Sequence, residues 1–145
     1  MENRLNMSAL QPAAYQAMMA LEKYLHTTQL APLHKELIKI RASQINKCAY
    51  CLNMHTRDAR KLGETEQRIY VLNAWRETAL FDEQEKAILA LTEEITLISE
   101  HGVSDDTYQN AVKQLGEVCV AQAIMAIMTI NAWNRMAISL QLQPD

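Results

Sequence analysis

Apolar positions recur along this chain at three- and four-residue spacings, and no run alternates strictly with polar ones. Between residues 8 and 25 the stripe is Ala14, Met18, Leu21 and Leu25. That is one face of a helix, which Ser8 is placed to cap. Residues 1–7 read as a loose arm, and residues 26–31 as a connector. Pro32 suits the first position of a second helix, over about 33–45, and pushes Ala31 out of the helical region. Asn46 and Lys47 leave only a short joint before a third helix over 48–62, which Gly63 ends. A short helix over 65–73 and a mixed stretch over 74–81 follow. Asp82, with Glu85 three residues on, starts a helix reaching about Ser99, with Ile88, Leu91, Ile95 and Ile98 on one face. Residues 101–104 turn the chain; Ser104 caps a helix to Leu115, and Gly116 stops it. The last helix, over 117–140, is apolar nearly all round between 118 and 130. That stretch is too short to span a bilayer. Its expected place is against both the core and a second subunit. The pattern predicts an all-α fold of six or seven helices, one domain over 1–145. The third helix folds back antiparallel on the second, because the joint is so short.

Two features do not fit simple amphipathic helices. In the second helix, Glu36 faces the same way as Leu33 and Ile40, and a buried carboxylate is costly unless paired. Lys35 and Lys39 read as ordinary solvent-side charges beside it. In the third helix, Cys48, Cys51, Leu52, His55, Ala59 and Leu62 fall on one stripe, opposite a polar face that includes Asn53, Arg57, Asp58 and Lys61. Two thiols and an imidazole therefore share the apolar side of one helix. The helix N-terminus favours thiolate, and His55 is the i+4 neighbour of Cys51. Folding the hairpin back about residue 47 brings Glu36 within about one turn of His55 along the axis. Cys48 is expected at the exposed start of its helix, open to an incoming reductant.

Composition narrows the reading. A net charge of −3 gives no electrostatic case for nucleic acid or for an anionic membrane. The first residues carry no apolar signal-peptide core, so a cytoplasmic protein is expected. Three cysteines, two of them spaced CxxC, do not make a disulfide framework; without a secretion signal that spacing points to redox or metal chemistry.

Glu36, eleven residues, Cys48-Ala-Tyr50-Cys51, three residues and His55 together resemble the AhpD-like, carboxymuconolactone decarboxylase superfamily. Residues 45–60 are similar to its alkylhydroperoxidase branch, as is the stretch from Asn131 to Arg135. The resemblance implies a thiol-dependent hydroperoxide reductase needing no cofactor. Cys51 would attack the peroxide, Cys48 would resolve the product into a disulfide, and His55 with Glu36 would relay the proton. Some members of that family carry His where this chain has Tyr50. A phenol of reference pKa about 10 is a poor base at neutral pH, so Tyr50 is given a positioning role. The resemblance also implies a dithiol protein or lipoyl-type reductant, and a homo-oligomer, trimer or hexamer.

Other readings compete. A metal site could use Cys48, Cys51, His55 and Glu36. A redox sensor or interaction protein could use the same dithiol without turnover. Glu36 could pair instead with Arg41 or Arg57. A lactone decarboxylase would leave the dithiol without a purpose. Cys119 is expected to be inert core, with Trp133 and Arg135 structural.

Overall fold

Ten helical segments make up the computed structural model, which describes residues 4–145. They are α1 (Met7–Leu10), α2 (Pro12–Leu25), α3 (Pro32–Asn46), α4 (Ala49–Lys61), α5 (Glu66–Tyr70), a 3-10 segment (Leu72–Glu77), α6 (Glu83–Thr96), α7 (Ile98–His101), α8 (Asp105–Leu115) and α9 (Glu117–Ser139). Six are long, and the other four are a turn or little more. Among the described residues there is no strand, as the periodicity predicts.

The departures from expectation have local causes. Ser8 does not cap a helix to Leu25. Asn6 caps α1 by accepting the Ala9 N–H at 3.1 Å, and Pro12 begins α2. A proline inside a continuous helix would remove one backbone bond and clash with the preceding turn, so the chain breaks there. The helix over 82–99 ends at Thr96, with α7 as a separate turn. Of the expected loose arm, residues 1–3 lie outside the described residues; residues 4–7 are folded onto the body of the protein.

α3 is central, packed on α9, α4 and α6. It can be because it buries two apolar faces. Ile38 and Ala42 join Ile88 and Leu91 of α6 and Ala123, Ile127 and Ile130 of α9 in one cluster. Leu37 and Ile40 face a second cluster with Ala59, Leu72, Trp75 and Phe81. Such burial contributes about 1.5–3 kcal/mol for each large side chain relative to exposure.

The joint between α3 and α4 is as short as the sequence implied, displaced by one residue. α3 runs to Asn46, and Lys47, at φ 59°, and Cys48 turn the chain before α4 starts at Ala49. The Lys47 and Cys48 N–H groups close back on the carbonyls of Gln44 and Ser43, a Schellman arrangement. A left-handed lysine carries strain that the surrounding contacts must offset. Those contacts come from a buried polar lock. Asn46 Nδ2 donates to Asn131 Oδ1 and Asn134 Oδ1, and Asn134 Nδ2 donates to Ser43 Oγ at 3.0 Å. Asn131 also donates to Thr96 Oγ1, and Arg135 donates to Asn131. Most of the stretch 131–135 is thus structural: it ties α9 to the end of α3 and so fixes the start of α4.

Candidate active site

The first cysteine is the N-cap of α4, and its sulfur accepts the Cys51 N–H at 3.3 Å. Cys48 and Cys51 are joined as a disulfide. Cys48 is only 1% exposed and Cys51 3%. The expectation of an exposed Cys48 is therefore wrong. Ala137 near the end of α9, with Tyr50 and Leu142, packs over the two sulfurs and closes the outer end of the helix. A helix start is solvent-exposed only when no other element crosses it.

A cavity of about 630 Å³ adjoins this cover, with Tyr50, Ala137 and Leu142 in its lining. Cys51 lines it and Cys48 does not. Glu36, Tyr50 and His55, all singled out in the sequence, line it too, so the structure brings four of the five candidate residues to one space. His55 Nδ1 lies 3.1 Å from Glu36 Oε2, with both side chains close to nine-tenths buried. The hairpin geometry produces this pair, since α3 and α4 run antiparallel from a two-residue turn. Arg41 and Arg57, the competing partners for Glu36, are engaged elsewhere: Arg41 with Glu93 and Gln44, Arg57 with Asp145.

Lys39 is not the solvent-side charge its sequence context suggested. Its ammonium lies 3.8 Å from Glu36 Oε1 and 3.5 Å from Glu22 Oε2, with 12% of the side chain exposed. Glu22 in turn accepts the Trp133 indole N–H at 3.0 Å, and Tyr15 packs edge-on against Trp133. A chain of polar groups thus runs from Trp133 through Glu22, Lys39 and Glu36 to His55, along one wall of the cavity. Lys35 is also half-buried; it donates to the Leu25 carbonyl at 3.0 Å. Burial, then the like charge of Lys39, lowers its pKa. Glu22 was missed, although it sits at i+4 from Met18 and i−3 from Leu25, the same sign that marked Glu36.

Asp58 joins the site, its Oδ2 4.0 Å from His55 Nδ1. Glu36, His55 and Asp58 hold their donor atoms within 4.8 Å of one another, a set that could ligate a divalent cation. It differs from the expected metal set, because both sulfurs are consumed in the disulfide, and Lys39 already supplies a cation to Glu36. Cys119 is free and half-buried, its sulfur 3.9 Å from Gln29 Oε1.

Residues 12–94 match the carboxymuconolactone decarboxylase family. The chain belongs to that family. It is 43% identical over 140 residues to the uncharacterized protein YdfG of Bacillus subtilis strain 168, covering 97% of this chain and 95% of that one. A crystal structure of a protein of unknown function from Agrobacterium tumefaciens, proposed to be the antioxidant defence protein AhpD, superposes with a TM-score of 0.96 at 36% identity. The match covers 99% of both chains. The debrominase Bmp8, solved with 2,3,4-tribromopyrrole, shares the fold with a TM-score of 0.84 at 15% identity, covering 94% of this chain and 73% of that one. The fold of this family member is thus AhpD-like. Among its described residues no single helix is long and apolar enough to cross a membrane.

Proposed function

We propose that this protein is a thiol-dependent peroxidase that reduces organic hydroperoxides through Cys48 and Cys51. The observation that carries the reading is the convergence of Cys51, His55 and Glu36 on one cavity, with Cys48 behind it. His55 takes the Cys51 proton, and Glu36 steadies the imidazolium that results. The Cys51 thiolate attacks the peroxide oxygen; the O–O bond breaks, the alcohol leaves with the proton, and Cys51 becomes a sulfenic acid. Cys48 then displaces the hydroxyl as water, forming the disulfide. A dithiol of the lipoyl or protein type restores both thiols by exchange through a mixed disulfide. Since Cys51 lines the cavity and Cys48 is closed off, the entering thiolate meets the Cys51 sulfur. Cys48 is then the leaving thiolate, favoured by the Cys51 N–H at the helix start. No cofactor is required.

The cavity size supports an organic substrate: about 630 Å³ falls in the usual range for small-molecule pockets and is far larger than hydrogen peroxide needs. The reading takes residues 1–145 as one domain. It takes the working unit as a homo-oligomer, supported by the apolar α9 surface at Val118 and Met128, both more than half exposed.

Intact-mass measurement of the reduced protein after one equivalent of cumene hydroperoxide tests the roles. Cys51→Ser should not react at that position. Cys48→Ser should gain one oxygen and stop there. His55→Ala should be slower by on the order of 10²–10⁴-fold. If Cys51→Ser gains one oxygen at the wild-type rate while Cys48→Ser does not, the roles are reversed. Reversible disulfide formation with negligible turnover on any dithiol would make the protein a redox sensor of the same fold.

A further inference from the structure

The two sulfurs are buried, yet the proposed cycle needs both a hydroperoxide and a much larger reductant to reach Cys51. Something must move, and the structure shows one candidate. Five consecutive residues, Arg4, Leu5, Asn6, Met7 and Ser8, form part of the cavity wall. They lead into α1, which buries no residue; Leu10 is 60% exposed. α1 packs on α2 alone to any extent, so little apolar burial holds it in place.

The segment nevertheless keeps its own shape. Asn6 Oδ1 accepts both the Ala9 N–H and the Ser8 hydroxyl, at 3.1 and 2.8 Å. It joins the body at Gln11, whose backbone (φ −134°, ψ 66°) is neither helical nor fully extended, directly before Pro12. At the far end Arg4 is latched to the end of α9: its N–H donates to the Leu140 carbonyl at 3.3 Å and its guanidinium to the Ser139 carbonyl at 3.1 Å. Carbonyls at a helix C-terminus lack intrahelical partners and carry negative partial charge, so a cation is well placed there.

We propose that residues Arg4–Leu10 are a hinged wall that decides which reagents reach Cys51, hinged at Gln11 and latched by Arg4 on the carbonyls at the end of α9. Closed, the wall supplies Leu5 and Met7 to the apolar lining and admits small molecules. Opening, by release of the two hydrogen bonds that Arg4 makes, admits bulky ones. The inference rests on reading Cys51 as the reacting thiol, but its test does not need peroxidase activity.

The test compares alkylation of Cys51 in the reduced protein by iodoacetamide and by a pyrene-bearing maleimide, with the labelled cysteine identified by peptide mass. Arg4→Ala, which loses the guanidinium bond to Ser139 and keeps the backbone bond to Leu140, should raise the ratio of bulky to small labelling about fivefold, and a variant lacking residues 1–10, which loses both, on the order of tenfold or more. Arg4→Lys, which keeps a cation at the helix end, should fall back towards wild type. A ratio within twofold of wild type in Arg4→Ala, with its melting temperature unchanged, overturns the proposal; that variant decides if the truncated one does not fold. A second readout depends on the peroxidase reading. The truncation should raise KM for cumene hydroperoxide by a larger factor than KM for hydrogen peroxide. A changed labelling ratio in a protein that turns over neither peroxide would refute the peroxidase and keep the wall.

Discussion

Glu36→Gln separates charge from shape in the proposed relay. The substitution keeps the side chain's size and an acceptor oxygen facing His55 at about the same place; it removes the negative charge and turns the oxygen facing Lys39 into an amide NH2. At 3.1 Å, a carboxylate and an imidazolium attract by about 5 kcal/mol at an effective dielectric of about 20. That figure is a ceiling, because the glutamine still accepts a hydrogen bond and the ring keeps part of its solvation. Hydrogen bonds to charged groups contribute about 1.5–3 kcal/mol against about 1 for neutral ones. The imidazolium should therefore lose about 1–2 kcal/mol of stabilisation, which at 1.36 kcal/mol per decade slows the first step about 5- to 30-fold. Lys39 still has Glu22 as a partner, so stability should change little. The assay is a quenched time course of Cys51 oxidation by a single equivalent of cumene hydroperoxide, followed by intact mass, with melting temperature as control. A rate within twofold of wild type would show that Glu36 does not stabilise the ring during proton transfer. A rate as low as that of His55→Ala would make Glu36 itself the base. Either result refutes the reasoning.

Asn134→Ala should cost about 2–4 kcal/mol in denaturant unfolding, because a fully buried amide loses its bonds to Asn46 and Ser43 and leaves a void; a change below 1 kcal/mol would remove the polar lock from the account of the α3–α4 joint. Arg68 bridges the buried carboxylates of Glu64 and Glu85 and stacks over Phe81. Burial opposes its charge, but the bonds to Glu85 and Glu64 outweigh that and hold its pKa above the ordinary value. Arg68→Met should destabilise by about 3–5 kcal/mol, since it strands two buried carboxylates, and an unchanged unfolding midpoint would contradict this. Sedimentation equilibrium at micromolar concentration should give a particle several times the 16.5 kDa chain, and Met128→Asp should shift it towards the monomer; a monomeric wild type would dismiss α9 as an interface.

Local chemistry was legible in the chain. Helix class follows from apolar spacing, and the stops at Gly63 and Gly116 and the capping box of Asp82 and Glu85 depend on a few neighbouring residues. The dithiol with His55 is local too, since one helix carries it. Even the Glu36–His55 pair was within reach, because a two-residue turn leaves a hairpin little freedom in register. What lies beyond two neighbouring helices was not. The burial of Cys48 depends on Ala137, almost ninety residues away in sequence, crossing the start of α4. Lys39 is buried because Glu22 of another helix meets it, and a lysine pattern alone reads as solvent-facing. The wall made by residues 4–8 leaves no trace in periodicity: it is held by backbone carbonyls at the far end of the chain, and backbone groups are the same in every sequence. Spacing along a helix decides which side chains share a face; only the packed structure decides which face meets water, which meets another helix and which opens on a cavity.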